Sequence, residues 1–100
     1  MDIKKYIGKK ISIPTADTDQ LTISDLSNGW TSIEILAWAD GNSNFAALYV
    51  EAKDSIIQEV YRERFCWMCP NGKCAEKRIT RFPSIKAEKT AETVLKTLLA

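Results

Sequence analysis

Apolar and β-branched residues alternate with polar residues through the middle of the chain, and turn residues interrupt them at fairly regular intervals. The pattern predicts strands over residues 30–39, 45–52, 56–67 and 75–82. Turn residues separate these segments at Asp40-Gly41, Lys53-Asp54-Ser55 and Asn71-Gly72. We therefore expect an antiparallel β-meander of three to four strands.

The C-terminal segment predicts an amphipathic helix. Pro83 ends the preceding strand and Ser84 is a good N-cap. A single stripe at helical spacing follows, made of Ile85, Glu88, Ala91, Val94, Leu95, Leu98 and Leu99. The lysines at 86, 89 and 96 lie between these positions and are expected to face solvent. A helix of this kind would cover one sheet face, so the predicted fold class is α+β, with the strands followed by the helix.

A mainly α fold is the alternative. Apolar residues at 45, 48, 49, 52, 56, 60 and 65 also have helical spacing, and Asn44 could cap them, so one long helix over residues 44–65 is conceivable. We favour strands, because the Asp-Gly and Asn-Gly dipeptides are hairpin signals and the content of aromatic and β-branched residues is high.

The first quarter of the chain has weaker patterns. Residues 3–13 alternate isoleucine with lysine and serine in their later part, which predicts an edge strand whose lysines discourage aggregation. Within residues 15–27, Asp17 or Thr18 could cap a short helix carrying Leu21, Ile23 and Leu26.

Composition is that of an ordinary globular chain. The 100 residues suffice for one domain, with 45% hydrophobic and 27% charged residues and a formal net charge of +1. No apolar run is long enough to span a membrane, and no signal-peptide core follows the first charges. The three cysteines are an odd number, which fits a reducing compartment better than a disulfide framework. We expect a cytoplasmic protein without membrane contact.

The cysteines Cys66, Cys69 and Cys74 all lie around Asn71-Gly72, in the spacing C-x2-C-x4-C. If that dipeptide forms a two-residue turn, Cys69 lies opposite Cys74 and their sulfurs converge. The same register places Cys66 opposite Lys77, on the other face of the ladder. A bulge near Trp67 would be needed to bring all three thiols together.

Three interpretations of the cysteines stay open. Zinc is one, although the chain has no histidine, and Glu63, Glu76 or a second chain would have to complete four ligands. Thiol redox chemistry at Cys66 and Cys69 is another, but the βαβ context typical of such motifs is missing. The third is that the cysteines are small buried apolar residues.

Basic residues surround the cysteines and alternate with aromatic ones, an arrangement that sheet modules use to hold phosphates and stack bases. The candidate binding residues are Arg62, Arg64, Trp67, Lys73, Lys77, Arg78 and Arg81. Their ordinary interpretation is a solvated strand face, partly neutralised by neighbouring glutamates.

No catalytic motif is present, and the absence of histidine removes the commonest general base. We therefore predict a non-catalytic binding or regulatory domain, such as an inhibitor or adaptor, that docks on a protein or nucleoprotein partner. The three tryptophans and three tyrosines suit an interface, including that of a homodimer. Direct nucleic-acid binding is the alternative, and a thiol redox protein is a more distant one.

Overall fold

The computed structural model describes residues 2–13, 21–39, 44–66 and 77–100. Five strands form one antiparallel sheet in this part of the chain, and a helix follows them. The strands are β1 (Leu21–Asp25), β2 (Trp30–Ala39), β3 (Asn44–Lys53), β4 (Ile56–Cys66) and β5 (Lys77–Ile79), and the helix is α1 (Ile85–Leu98). Short 3₁₀ helices occupy Ile3–Tyr6 and Ser27–Gly29.

The predicted meander followed by a helix is confirmed. The spatial order of the strands is β1-β2-β3-β4-β5, so each strand pairs with its neighbours in the sequence. The long helix over residues 44–65 is wrong. That segment is instead the β3–β4 hairpin, whose turn contains Asp54 and Ser55 with φ of 50° and 68°. Two successive residues with positive φ are the hairpin geometry that matches the twist of the strands.

The hydrophobic core lies between one face of this sheet and α1. Strand residues Ile33, Ile35, Leu48 and Val50 are fully buried there, together with Leu95 of the helix. These strand positions are two residues apart, as expected for side chains that point to the same face.

The helix α1 begins where the sequence predicts. The hydroxyl of Ser84 accepts a hydrogen bond from the backbone N–H of Ala87 at 3.1 Å, and Ala87, Ala91, Leu95 and Leu98 are buried. Ile85 does not belong to the buried stripe, because it is 74% exposed at the first helical position. Among the described residues, no helix is long and apolar enough to cross a membrane.

The predicted N-terminal edge strand is wrong. Residues Ile3–Tyr6 form a 3₁₀ helix, in which positions three apart share one side, so Ile3 and Tyr6 both enter the core. The carboxylate of Asp2 caps it by accepting from the N–H of Lys4 at 3.1 Å. Only afterwards does the chain run beside the sheet, where the N–H of Ile57 donates to the carbonyl of Lys9 at 2.9 Å.

The short helix expected within residues 15–27 is also wrong in its described part. Leu21–Asp25 is β1, which pairs with β2 so that Leu21 lies opposite Ile35 and Ile23 opposite Ile33. Two apolar residues separated by one polar residue fit a half-buried strand, and this alternation outweighs the capping signal upstream. Leu26, expected on the helix, is 55% exposed.

The register of β4 with β5 differs from the one predicted. Lys77 lies opposite Arg64 instead of Cys66, and Ile79 lies opposite Arg62. This is a shift of two residues from the ladder that a two-residue turn at Asn71-Gly72 would set. A shift by two keeps the described side chains of β5 on their expected faces, and Ile79 packs against the core.

Candidate docking face

The sheet has a second face, opposite α1, which we call the outer face. Residues paired across antiparallel strands share a face, so the register assigns its members. Its described side chains are Lys10, Thr22, Ser24, Trp30, Ser32, Glu34, Leu36, Phe45, Ala47, Tyr49, Glu51, Lys53, Ile56, Glu59, Tyr61, Glu63 and Arg78. Apart from the buried Ala47, all of these side chains are partly or largely exposed.

Two stacked tyrosines form the centre of the outer face. Tyr49 of β3 lies opposite Tyr61 of β4, with ring centroids 5.3 Å apart and ring planes within 13° of parallel. The Tyr49 hydroxyl donates to Glu34 at 2.8 Å, and the Tyr61 hydroxyl donates to Glu51 at 2.9 Å. Each ring is therefore held at its tip by a carboxylate on a neighbouring strand.

Cations of the chain itself already contact rings on this face. The guanidinium carbon of Arg78 lies 4.0 Å from the ring centroid of Tyr61, a close cation–π contact. The Lys53 ammonium lies 5.9 Å from the ring of Trp30. Arg78 also lies opposite Glu63 in the ladder, so an acidic residue is its cross-strand partner.

The phenol of Tyr61 is held in its neutral form. Burial raises the pKa of Tyr61 above its ordinary value, and the hydrogen bond to Glu51 and the charges of Glu51 and Glu63 raise it further. The charge of Arg78 lowers this pKa by a smaller amount. Tyr61 thus serves as a hydrogen-bond donor throughout the neutral range.

This raised pKa predicts a loss of stability in alkali. Because the folded pKa of Tyr61 exceeds the ordinary value of 10.0, its contribution is complete below about pH 10 and is lost as the pH rises through the folded value. The free energy of unfolding, measured by urea titration at increasing pH, should fall less steeply in Tyr61→Phe than in the wild type. Identical pH profiles for the two proteins would show that folding does not raise the pKa of Tyr61. Tyr6, whose pKa burial and Glu92 also raise, remains in both proteins and contributes equally.

Arg62, predicted as a binding residue, lies inside the fold. Its residue exposure is 7%. One terminal nitrogen donates to the carbonyl of Thr80 at 2.9 Å, and the other donates to the carboxylate of Glu88 at 2.5 Å. The guanidinium also lies 5.8 Å from the ring of Phe82. These contacts connect β4 to the β5–α1 link and to the first turn of α1. The role of Arg62 is therefore to stabilise the fold.

The other described basic candidates do not form one surface. Arg64, Arg78 and Arg81 are exposed, but Arg78 lies on the outer face whereas Arg64 shares the helix-side face with Arg62. Arg81 lies in the link before α1. Lys77 pairs with Arg64 through its backbone, and its side chain lies outside the described part.

The cysteine segment also lies largely outside the described residues. Cys69, Cys74, Trp67 and Lys73 belong to residues 67–76, and Cys66 is described only as the backbone end of β4. Zinc binding, redox chemistry and packing therefore all stay predictions. Within the described ranges, no three histidine, cysteine or acidic side chains are grouped so as to hold a metal ion.

Tyr49, Tyr61 and their glutamates are not among the site residues predicted from the sequence. A signal was present, because Tyr49 and Glu51 alternate with the buried Leu48 and Val50 and so had to face away from the core. The opposition of Tyr49 and Tyr61, however, depends on the register between β3 and β4.

No family model, curated protein or solved structure matches this chain. Its function is therefore inferred from the chemistry of the outer face.

Proposed function

We propose that this chain is a small non-catalytic binding domain that docks on a protein partner through the outer face of its sheet. The observation that carries the proposal is the stacked pair of Tyr49 and Tyr61, partly exposed at the centre of the face and held by Glu34 and Glu51. Tyrosine is enriched among the residues that dominate binding energy at interfaces. Rings that are already held in place lose little conformational entropy on binding.

The position of the face supports docking as well. The core helix α1 packs on the opposite side of the sheet, so a partner could contact the outer face without displacing the core. A rigid sheet presents its side chains at fixed spacings, which favours the binding of one specific partner over the binding of many different ones. An inhibitor or adaptor would act in this way, without chemistry of its own.

The charge of the outer face argues against nucleic acid as its ligand. The four glutamates of the face outnumber its three basic residues among the described side chains, and they lie around the tyrosine rings, where phosphate groups would be repelled. Nucleic-acid binding stays an alternative for the helix-side surface near Arg64 and Arg81, both of which are exposed.

The test is affinity capture from extracts of the source cells with the full chain, with and without nuclease. The double variant Tyr49→Ser/Tyr61→Ser removes the ring pair. The control Lys89→Ser changes an exposed residue of α1 on the opposite side of the sheet. We expect a protein partner that the wild type and the control retain after nuclease treatment and that the double variant loses.

A partner retained equally by all three proteins would contradict docking through the outer face. If nuclease removes the captured material and Arg64→Ala/Arg81→Ala abolishes its capture, the nucleic-acid alternative replaces the proposal. Urea unfolding of each variant confirms that the comparison is made between folded proteins.

A further inference from the structure

We infer that the outer face recognises arginine side chains on a basic segment of its protein partner. This inference rests on the proposed docking function and names the chemistry of the group that is bound. It is carried by three features of the face: its charge balance, the way it already holds its own Arg78, and the arrangement of carboxylates around the tyrosine rings.

The charge balance comes from the register. Four carboxylates, at Glu34, Glu51, Glu59 and Glu63, share the face with three described cations, Lys10, Lys53 and Arg78. Both lysines lie at the turn between β3 and β4, whereas Glu34 and Glu51 lie beside the tyrosine rings. Glu51 and Glu59 lie directly opposite each other on β3 and β4, an arrangement that is unfavourable unless a cation is near. Lys4, at the edge of the sheet, supplies part of this positive charge, because its ammonium lies 2.8 Å from the carboxylate of Glu59. A cationic partner would reduce the remaining repulsion.

Arg78 shows how the face holds a guanidinium. Its side chain lies over the ring of Tyr61 at 4.0 Å while its backbone position is opposite Glu63. A planar guanidinium can stack on a ring and direct its N–H groups sideways to carboxylates at the same time. An ammonium group is a compact and strongly hydrated charge, so lysine makes this combined contact less well.

The carboxylates around the rings repeat this arrangement. Glu34 and Glu51 accept hydrogen bonds from the two phenols, which places a negative charge at the tip of each ring. Cation–π attraction adds to the charge attraction, because the face of an aromatic ring carries negative potential. The Tyr61 ring is already in contact with Tyr49 and Arg78. An arginine residue of a partner would therefore meet the Tyr49 ring together with the carboxylates of Glu34 and Glu51.

The test is a titration of the ¹⁵N-labelled full chain, followed by NMR, with capped hexa-arginine, hexa-lysine and hexa-glutamate peptides. We expect hexa-arginine to shift the amide signals of β2, β3 and β4 and to bind about fivefold more tightly than hexa-lysine. Raised salt should weaken the binding, since these charges are partly exposed to solvent. Hexa-glutamate should leave the signals unchanged.

A matched pair of variants separates the outer face from charge in general. Glu51→Gln and Glu92→Gln each neutralise a carboxylate that accepts from a tyrosine hydroxyl, but Glu92 belongs to α1 and accepts from Tyr6 at 3.1 Å. Glu51→Gln should weaken hexa-arginine binding about threefold, whereas Glu92→Gln should leave it unchanged.

The inference is overturned if hexa-arginine fails to bind at millimolar concentration, if both peptides bind equally, or if the two variants have the same effect. Its failure is distinguishable from failure of the docking proposal. If capture of a partner still required Tyr49 and Tyr61, the docking proposal would stand, and the partner would contact the face through a group other than arginine. Capture that is insensitive to both tyrosines would remove docking itself.

Discussion

Leu95→Ala should destabilise the protein by about 2–5 kcal/mol, the largest effect that we expect from a single apolar truncation. Leu95 is fully buried between α1 and the sheet, so the substitution loses apolar contacts and leaves a cavity. Since domains of this size are stable by only about 5–15 kcal/mol, the loss is a large share of the total. The measurement is the free energy of unfolding from urea titration.

Ile85→Ala is the matched control for this prediction. Ile85 is an apolar residue of the same helix, but it is 74% exposed, so its truncation should change the free energy of unfolding by less than about 0.5 kcal/mol. If the two substitutions had similar effects, the helix would not pack on the sheet with the face described.

Glu88→Ala should be the most damaging change among the charged residues, at about 3 kcal/mol. It removes the carboxylate that contacts Arg62, whose side chain is only 8% exposed, and it therefore leaves a buried guanidinium less well compensated. Because this pair connects β4 to the first turn of α1, its loss also loosens the attachment of the helix. Urea unfolding again provides the measurement.

Two further variants test the physical cause. Arg62→Leu/Glu88→Ala removes the buried charge together with its partner, so it should be more stable than Glu88→Ala alone. Glu59→Ala breaks the Lys4–Glu59 pair, whose side chains are 62% and 36% exposed, and should cost less than about 1 kcal/mol. A cost for Glu88→Ala no greater than that for Glu59→Ala would contradict the structural role of Arg62.

The burial of Arg62 also illustrates a limit of sequence patterns. Arg62 and Arg64 are two residues apart on β4 and share a face, so the alternation pattern predicts the same exposure for both. In the structure Arg62 is buried against Glu88, whereas Arg64, nearer the end of the strand, is exposed. Which of the two lies under α1 depends on where the helix crosses the sheet, and no local pattern contains that information.

The position of Tyr61 shows the same limit more sharply. A two-residue turn at Asp54-Ser55 with unbroken pairing would place Val60 opposite Tyr49. A bulge at Gln58 shifts the register by one, so that Tyr61 lies opposite Tyr49 and Val60 enters the core. A shift by one residue reverses every side chain beyond it. The gain from burying Val60 in place of Glu59 explains why the bulge forms, and the tyrosine pair is its consequence.

Local sequence patterns were enough to predict the α+β class, the meander after residue 30 and the capped C-terminal helix, because each depends on local alternation, turn residues or helical spacing. Local patterns did not predict the N-terminal 3₁₀ helix, the strand β1, the burial of Arg62 or the outer face with its stacked tyrosines. Each of these depends on which segments lie side by side. That choice is made by the burial of apolar area across the whole chain, which outweighs the weak preferences of short segments.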